Sequence, residues 1–126
     1  MGELRTTLEP AHVGLFQWDY WIFLGTEKVG AFRLYKIPTD NERMFLACVM
    51  VQEKFRGQGF GSELMTHALA EARSRFGAKR MQLEVVKWNT TAITLYRKFG
   101  FVPQPHLTAS RAYHVIYTLD PLVLRE

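Results

Sequence analysis

Hydrophobic and polar positions along this chain repeat mostly with the period of a β-strand, and in two segments with the period of a helix. Strands are predicted at residues 16–24, 29–37, 44–51, 81–86 and 113–119. Helices are predicted at residues 63–76, where apolar side chains form one stripe, and at residues 90–98. A strand, a helix and a second strand in succession predict a right-handed parallel crossover. The pattern therefore predicts an α/β fold with a mixed sheet that contains one parallel pair, residues 44–51 and 81–86.

The junction between the third strand and the first helix is rich in glycine. Its sequence is Arg56-Gly57-Gln58-Gly59-Phe60-Gly61-Ser62. Glycines let the backbone bend and leave no Cβ to obstruct a ligand. The first N–H groups of the helix have no partner within the helix, and the helix dipole makes that end positive. This arrangement predicts an anion site for a phosphate or pyrophosphate, although a tight turn without a ligand would have the same composition. Neither a Gly-Lys-Ser/Thr ending nor the third glycine of a dinucleotide fingerprint is present.

A second group of residues lies downstream. Glu84 interrupts an apolar strand, Asn89 is a good N-cap for the helix at residues 90–98, and Gly100 is a typical helix stop. Tyr96 falls on the apolar face of this helix together with Leu95. An ordinary amphipathic helix with Tyr96 in the core is the alternative interpretation.

The two segments together resemble the GNAT superfamily of N-acetyltransferases. The glycine-rich junction is similar to the acetyl-CoA pyrophosphate loop of that family, and the segment from Leu83 to Phe101 is similar to its second motif. Each motif alone is moderately specific, but the pair in this order and spacing is strongly specific. The resemblance is good from about Met44 to Phe101, plausible for the flanking strands and poor for the first fifteen residues.

The resemblance implies how a cofactor would be held. In the family the parallel strands splay apart, and the thioester arm of acetyl-CoA pairs with the first of them like an added strand. Backbone groups of Val49–Val51, together with Asn89, would hold that arm. Loop amides would hold the pyrophosphate, and Lys98 would bind the adenosine end. The cofactor-binding residues implied are Val49, Met50, Val51, Arg56, Gly57, Gln58, Gly59, Phe60, Gly61, Ser62, Asn89 and Lys98.

The resemblance also implies catalytic roles. Tyr96 matches the general acid of the family, with its phenol near the sulfur. Glu84 is the first choice for the general base, because it is a carboxylate in an apolar strand beside the expected cleft. Glu42 is the second choice for the general base. A third possibility is a chain of water molecules, as in other family members. In the fourth, Glu84 is no base and only faces solvent or pairs with a basic neighbour.

The N-terminal region departs from the family pattern. GNAT domains usually begin with a strand and two helices that wall the acceptor site. Here the sheet is expected to begin near Phe16, with at most a stub strand at residues 4–8 that Glu9-Pro10 interrupts. Because that wall usually decides the acceptor, the sequence does not name one; the loop at residues 103–111 is the other expected contributor.

Composition narrows the class of protein. The chain has 126 residues, of which 48% are hydrophobic, and is expected to form one domain over residues 1–126. Its net charge of +4 comes from scattered residues, so no nucleic acid is expected as a partner. No apolar run reaches the roughly 18 residues of a membrane span, and the N-terminus does not resemble a signal peptide. Neither a membrane partner nor a leader is therefore expected.

Individual cysteine and histidine residues add little. Cys48 is the only cysteine, which favours a reducing, cytoplasmic setting, and it is expected to be a small core residue. The histidines have no metal-ligand spacing, so no metal is expected. His67 is expected at the surface, and His114 either packs structurally or lines the acceptor site.

The sequence thus predicts an acetyl-CoA-dependent N-acetyltransferase that acts on a primary amine of a small molecule, peptide or protein. The alternatives are a non-catalytic acyl-CoA-binding module and a basic nucleic-acid-binding protein. A homodimer is also predicted, because the aromatic segment at residues 16–23 is larger than a small edge hairpin buries.

Overall fold

The computed structural model describes residues 4–122, which form a seven-stranded sheet with two α-helices. The elements are β1 (Thr7–Val13), β2 (Gln17–Leu24), β3 (Glu27–Tyr35), β4 (Arg43–Val51), α1 (Phe60–Ser74), β5 (Arg80–Val86), α2 (Thr90–Lys98), β6 (Val102–Pro103) and β7 (His114–Leu119). The strand order is β1-β2-β3-β4-β5-β7-β6, and only β4 and β5 are parallel to each other. The predicted fold class, a mostly antiparallel mixed sheet with one parallel pair, is confirmed.

The sheet begins earlier in the chain than the sequence predicted. Strand β1 pairs antiparallel with β2, and Pro10 lies opposite Tyr20 just before a bulge. Proline is tolerated here because β1 is an edge strand, whose outer side needs no ladder hydrogen bonds. The expectation that Glu9-Pro10 interrupts the strand and that the sheet starts near Phe16 is therefore wrong. Only residues 14–16 link β1 to β2, so within residues 4–122 no helix stands between them.

Helix α1 packs its apolar stripe on one face of the sheet. Tyr20 stacks on Phe32 with ring centroids 5.0 Å apart, and its hydroxyl donates a 2.8 Å hydrogen bond to Glu71 of the helix. Phe76, just beyond the end of α1, packs on Trp18. Each fully buried leucine or methionine contributes about 1.5–3 kcal/mol to the stability. The buried residues of the stripe are Leu64, Met65, Ala68, Leu69 and Ala72.

A β-bulge divides β4 into two halves. Ala47 pairs with Arg33 and Met50 with Ala31, so two residues of β4 stand opposite one of β3. Cys48 in the bulge has a φ of +55° and is exposed. The expectation that Cys48 is a core residue is therefore wrong, because the bulge turns its side chain away from the packed layer.

The close contact between β3 and β4 depends on Gly30. A Cβ at this position would lie 2.3 Å from the carbonyl oxygen of Met50. No side chain fits at that distance, so the bulge in β4 relies on a glycine in the neighbouring strand. An isolated glycine inside a strand is the sequence pattern that could have indicated this approach.

The helix boundaries follow local sequence. Helix α2 has the predicted limits, because the Asn89 side chain accepts a 3.2 Å hydrogen bond from the Ala92 N–H and Gly100 takes a φ of +97°. Helix α1 begins three residues before its predicted start at Glu63, with Gly59 as its N-cap. The last three residues of the glycine-rich junction thus belong to the first turn of the helix. Within residues 4–122 neither helix is long and apolar enough to cross a membrane.

Candidate active site

The glycine-rich junction presents a row of unpaired amides. Between residues 57 and 62, no backbone N–H donates to a protein acceptor in the described part of the chain. Gly57 and Gly59 have φ values of +77° and +85°, which side chains rarely tolerate. These amides lie at the positive end of α1, so the segment is suited to bind an anion with several oxygen atoms.

The amides of residues 57–62 form a cradle, and Arg5 contacts it from a distant part of the sequence. Its guanidinium donates a 2.7 Å hydrogen bond to the carbonyl oxygen of Gln58 and forms an ion pair with Glu63. The same group stacks on the Phe60 ring at 4.1 Å and would lie 3.3 Å from a Cβ at Gly59. Burial favours a higher pKa for Glu63, but hydrogen bonds donated by Arg5 and Thr6 outweigh it and hold the pKa below its usual value. Arg5 therefore holds the cradle in shape and adds a positive charge beside it.

The two sequence motifs meet where α1 and α2 approach each other. A Cβ at Gly61 would lie 3.2 Å from the Leu95 side chain, which is closer than most real contacts. The Lys98 ammonium donates a 2.9 Å hydrogen bond to the Ser62 hydroxyl. Lys98 thus lies at the first turn of α1, next to the predicted pyrophosphate site.

The parallel strands separate beside this cradle. Their pairing covers residues 43–46 against 80–83 and ends at Leu46 and Leu83. Val49, Met50 and Val51 consequently have no strand partner on the β5 side, although Val51 pairs with Gly30 on the other. A ligand with an extended polar arm could pair with that open edge, as an added strand does.

The side chains of the loop support its own shape. Arg56 donates a 3.0 Å hydrogen bond from Nε to the Val51 carbonyl, and Gln58 donates one to the Lys54 carbonyl. The ligand-facing groups of this loop are consequently backbone amides, while the two polar side chains stabilise the turn.

Tyr96 is buried, with 7% of its surface exposed. Burial raises the pKa of its phenol to about 12, so the hydroxyl keeps its proton at neutral pH. Within residues 4–122 the hydroxyl has no hydrogen-bond partner. It is nevertheless not one of the fully buried side-chain atoms without a partner, because Arg80 Nε is the one such atom in that range. The Tyr96 oxygen is therefore not completely buried, and a ligand atom could accept its proton.

A cavity of about 440 Å³ lies on the sheet face opposite α1. It begins at the β4 bulge, where the parallel strands separate, and the loop between β6 and β7 contributes to its wall. It has the size of a small-molecule site. The lining residues are Gln17, Arg33, Tyr35, Phe45, Leu46, Ala47, Cys48, Leu83, Glu84, Ser110, Arg111 and His114.

The two candidate bases lie at opposite ends of the parallel pair. Glu84 lines the cavity, and its Oε1 accepts 3.0 Å hydrogen bonds from the backbone N–H and the hydroxyl of Ser110. Glu42 precedes β4 at its other end, where it forms ion pairs with Lys79 and Arg80. At about 3.3 Å per residue, Glu42 is more than 15 Å along the strand from the bulge. The geometry favours Glu84.

The histidines differ in their surroundings. His67 is half-buried, with Nε2 3.0 Å from the Thr6 hydroxyl, and burial lowers its pKa. The expectation of a surface His67 is therefore wrong, since the N-terminal segment covers it. His114 lines the cavity, with Nδ1 2.8 Å from the Ala112 carbonyl oxygen. In the described part of the chain, no group of three or more acidic, histidine or cysteine side chains could hold a metal ion.

Comparison with known proteins identifies the family. The model of the acetyltransferase (GNAT) family matches residues 4–101. The chain therefore belongs to the GNAT family, as its two motifs predicted. The match starts at residue 4, so the expectation of a poor resemblance over the first fifteen residues is corrected.

Individual relatives are more distant. The chain is 37% identical over 87 residues to streptothricin acetyltransferase of Streptomyces lavendulae, covering 64% of this chain and 46% of that protein. It is 28% identical over 78 residues to spermine/spermidine N(1)-acetyltransferase of Bacillus subtilis, covering 62% and 51%. The chain thus spans about half the length of these curated relatives.

Among solved structures, a GNAT family acetyltransferase from Elizabethkingia anophelis with acetyl-CoA bound has a TM-score of 0.76. The two chains are 18% identical, and the similarity covers 94% of this chain and 99% of the other. At this identity the likeness shows a shared fold.

Proposed function

We propose that this protein is an acetyl-CoA-dependent N-acetyltransferase that moves an acetyl group to a primary amine of a small molecule, peptide or protein. The proposal rests on one observation above all. The β4–β5 pairing ends at Leu46 and Leu83, and the open edge leads to six successive unpaired amides at residues 57–62. The strand edge suits an extended amide-bearing arm, and the amides suit a pyrophosphate.

The chain's residues fit such a cofactor. The backbone of Val49–Val51 would hold the pantetheine arm, the amides of residues 57–62 would hold the pyrophosphate, and Lys98 would bind the adenosine end. The Arg56 amide, which was also predicted to bind the pyrophosphate, already donates to the Glu53 carbonyl oxygen. Asn89 uses Oδ1 as a helix cap, and its amide nitrogen remains for the arm. Arg5 joins this set as a positioning residue, because it holds the Gln58 carbonyl and places a charge beside Gly59. When bound, acetyl-CoA supplies an acetyl group activated as a thioester.

Two side chains would move protons on opposite sides of the opening. Glu84 accepts a proton from the acceptor nitrogen, which then forms its bond to the acetyl carbon. Tyr96 gives its proton to the sulfur that leaves as the carbon–sulfur bond breaks. The raised pKa of Tyr96 keeps that proton available at neutral pH, and Ser110 fixes the Glu84 carboxylate by two hydrogen bonds.

A non-catalytic acyl-CoA-binding module is the alternative. It would need the cradle and the open strand edge, but neither an unpartnered Tyr96 hydroxyl nor a cavity beside Glu84. Mass spectrometry of amine and peptide acceptors after incubation with acetyl-CoA distinguishes the two. Acetylated products support the enzyme, whereas acetyl-CoA binding without any product supports the module.

A cytoplasmic homodimer remains part of the proposal. The aromatic segment at residues 16–23, which motivated the dimer, is less exposed than the sequence indicated. Tyr20 is buried, Trp18 packs on Phe76, and Lys28 covers Trp21. Apolar side chains nevertheless stay exposed at the edge of the sheet, at Val13 and Leu15. A dimeric mass in light scattering at micromolar concentration is expected, and a monomer with full activity would contradict it.

A further inference from the structure

The charges of the 440 Å³ cavity restrict the acceptor. Arg33, Glu84 and Arg111 are the charged residues that line it. Arg33 is already paired, since it donates hydrogen bonds of 2.7 and 3.3 Å to the two carboxylate oxygens of Asp19. The Glu84 carboxylate and the Arg111 guanidinium therefore remain to bind a ligand.

Glu84 and Arg111 both have polar groups available. The two hydrogen bonds from Ser110 go to Glu84 Oε1, and within residues 4–122 Oε2 accepts none. Arg111 follows Ser110 directly in the chain and forms no ion pair within the same residues. The bonds from Ser110 to Glu84 therefore also fix where the loop presents Arg111.

Tyr35 lines the same cavity as Glu84 and Arg111. Burial raises the pKa of its phenol, the Glu84 carboxylate raises it further, and Arg111 lowers it. The Tyr35 ring stacks on Phe45, and both rings line the cavity. An amine near the carboxylate and an acid near the guanidinium would fit one small molecule.

We propose that the acceptor is a small amine that carries a carboxylate, bound with its nitrogen at Glu84 and its carboxylate at Arg111. This inference rests on the proposed acetyltransferase function and names its substrate class. Arginine recognises a carboxylate by two parallel N–H bonds, which also orient the amine toward the opening at the bulge. A polyamine fits poorly, because its second ammonium would lie beside Arg111 without a counter-charge.

Matched acceptors test the proposal with the full chain and acetyl-CoA. The first set is lysine, lysinamide and cadaverine, which all have an aliphatic amine and of which only lysine has a carboxylate. The second set, with the same difference, is phenylalanine, phenylalaninamide and phenethylamine. Spermidine is the polycation. We expect kcat/KM to be about 10-fold higher for each amino acid than for its amide or its decarboxylated counterpart. A ratio of this size corresponds to the free energy that a hydrogen bond to a charged group contributes.

Three variants assign the preference to Arg111. Arg111→Gln should remove the roughly 10-fold preference and leave the amides and decarboxylated amines unchanged, while Arg111→Lys should retain part of it. Arg73→Gln removes an exposed arginine near the end of α1, away from the cavity, and should change nothing.

The outcomes separate the two levels of the argument. Equal or faster acetylation of cadaverine or spermidine would overturn the substrate class and leave the acetyltransferase intact. A uniform loss for all acceptors in Arg111→Gln would also overturn it, since it would indicate a structural role. No acetylation of any acceptor while acetyl-CoA binds would instead defeat the proposed function, and the substrate class with it.

Discussion

The proposed cofactor side and the proposed acceptor side of the gap between β4 and β5 are built in different ways. The proposed cofactor side comes mainly from one stretch of the chain, from β4 through the cradle to α2, with Arg5 added from the N-terminal segment. It presents mainly backbone groups. The proposed acceptor side combines residues of β2, β3, β4, β5 and β7 with the loop before β7. A contiguous backbone site leaves a local sequence motif, whereas a site of scattered side chains does not. This difference explains why the sequence indicated the family but named no acceptor.

Tyr96 should carry the largest effect, because its phenol is the proposed proton donor to the leaving sulfur. Tyr96→Phe keeps the buried ring and removes only the proton, so a 10²–10⁴-fold loss in turnover is expected with acetyl-CoA affinity unchanged. Turnover is measured by steady-state kinetics and affinity by calorimetry. Tyr117→Phe, at another buried tyrosine, serves as the control and should be near neutral. Unchanged turnover in Tyr96→Phe would leave the residue with a packing role alone.

The acceptor side is tested by its base. Glu84→Gln should lower kcat/KM by about 10²-fold near neutral pH, because the amine then loses its proton acceptor. The loss should shrink at alkaline pH, where solvent deprotonates the amine. Glu42→Gln, at the far end of β4, should behave like the parent protein. If the pH profile of Glu84→Gln overlays that of the parent, Glu84 is not the base.

The cofactor side is tested by a glycine. Acetyl-CoA at a hundredfold excess over its Kd should stabilise the parent by about 2.7 kcal/mol. Gly59→Val should lose most of this, since a branched side chain would stand among the cradle amides. Gly25→Val is the matched control, because Gly25 also has a positive φ but lies in the β2–β3 turn with open space around it. Equal ligand-induced melting shifts in the two variants would remove the cradle assignment.

The smallest effect concerns the support of the bulge. Gly30→Ala should destabilise the fold by about 1–3 kcal/mol, because its Cβ would collide with the Met50 carbonyl. Gly14→Ala, where the nearest atom is 3.5 Å from the new Cβ, is the control. Urea denaturation measures both. Similar midpoints would mean that β3 yields easily and that the bulge needs no glycine beside it.

The sequence predicted most of the fold because its markers are local. The Asn89 cap and the Gly100 stop gave both ends of α2, and the apolar stripe gave the buried face of α1. The glycine-rich junction lies between β4 and α1 as predicted, although the helix starts within it at Phe60. Local rules failed at β1, where an edge position makes Pro10 acceptable within a strand.

Contacts between distant segments accounted for the remaining differences. Arg5 reaches Gln58 and Thr6 covers His67 across more than 50 residues, so no periodic pattern marks either contact. Cys48 was predicted to be buried from its apolar neighbours, but a single extra residue in β4 exposes it. Bulges and long-range ion pairs depend on the assembled sheet, which hydrophobic periodicity does not describe.

The bulge also gives this protein a chemical handle. Cys48 is the only cysteine in the sequence, it is exposed, and it lines the cavity at the point where the sheet opens. A thiol-reactive fluorophore would therefore attach at one defined position. Its emission, and the rate at which the unlabelled thiol is alkylated, would report directly when the opening fills.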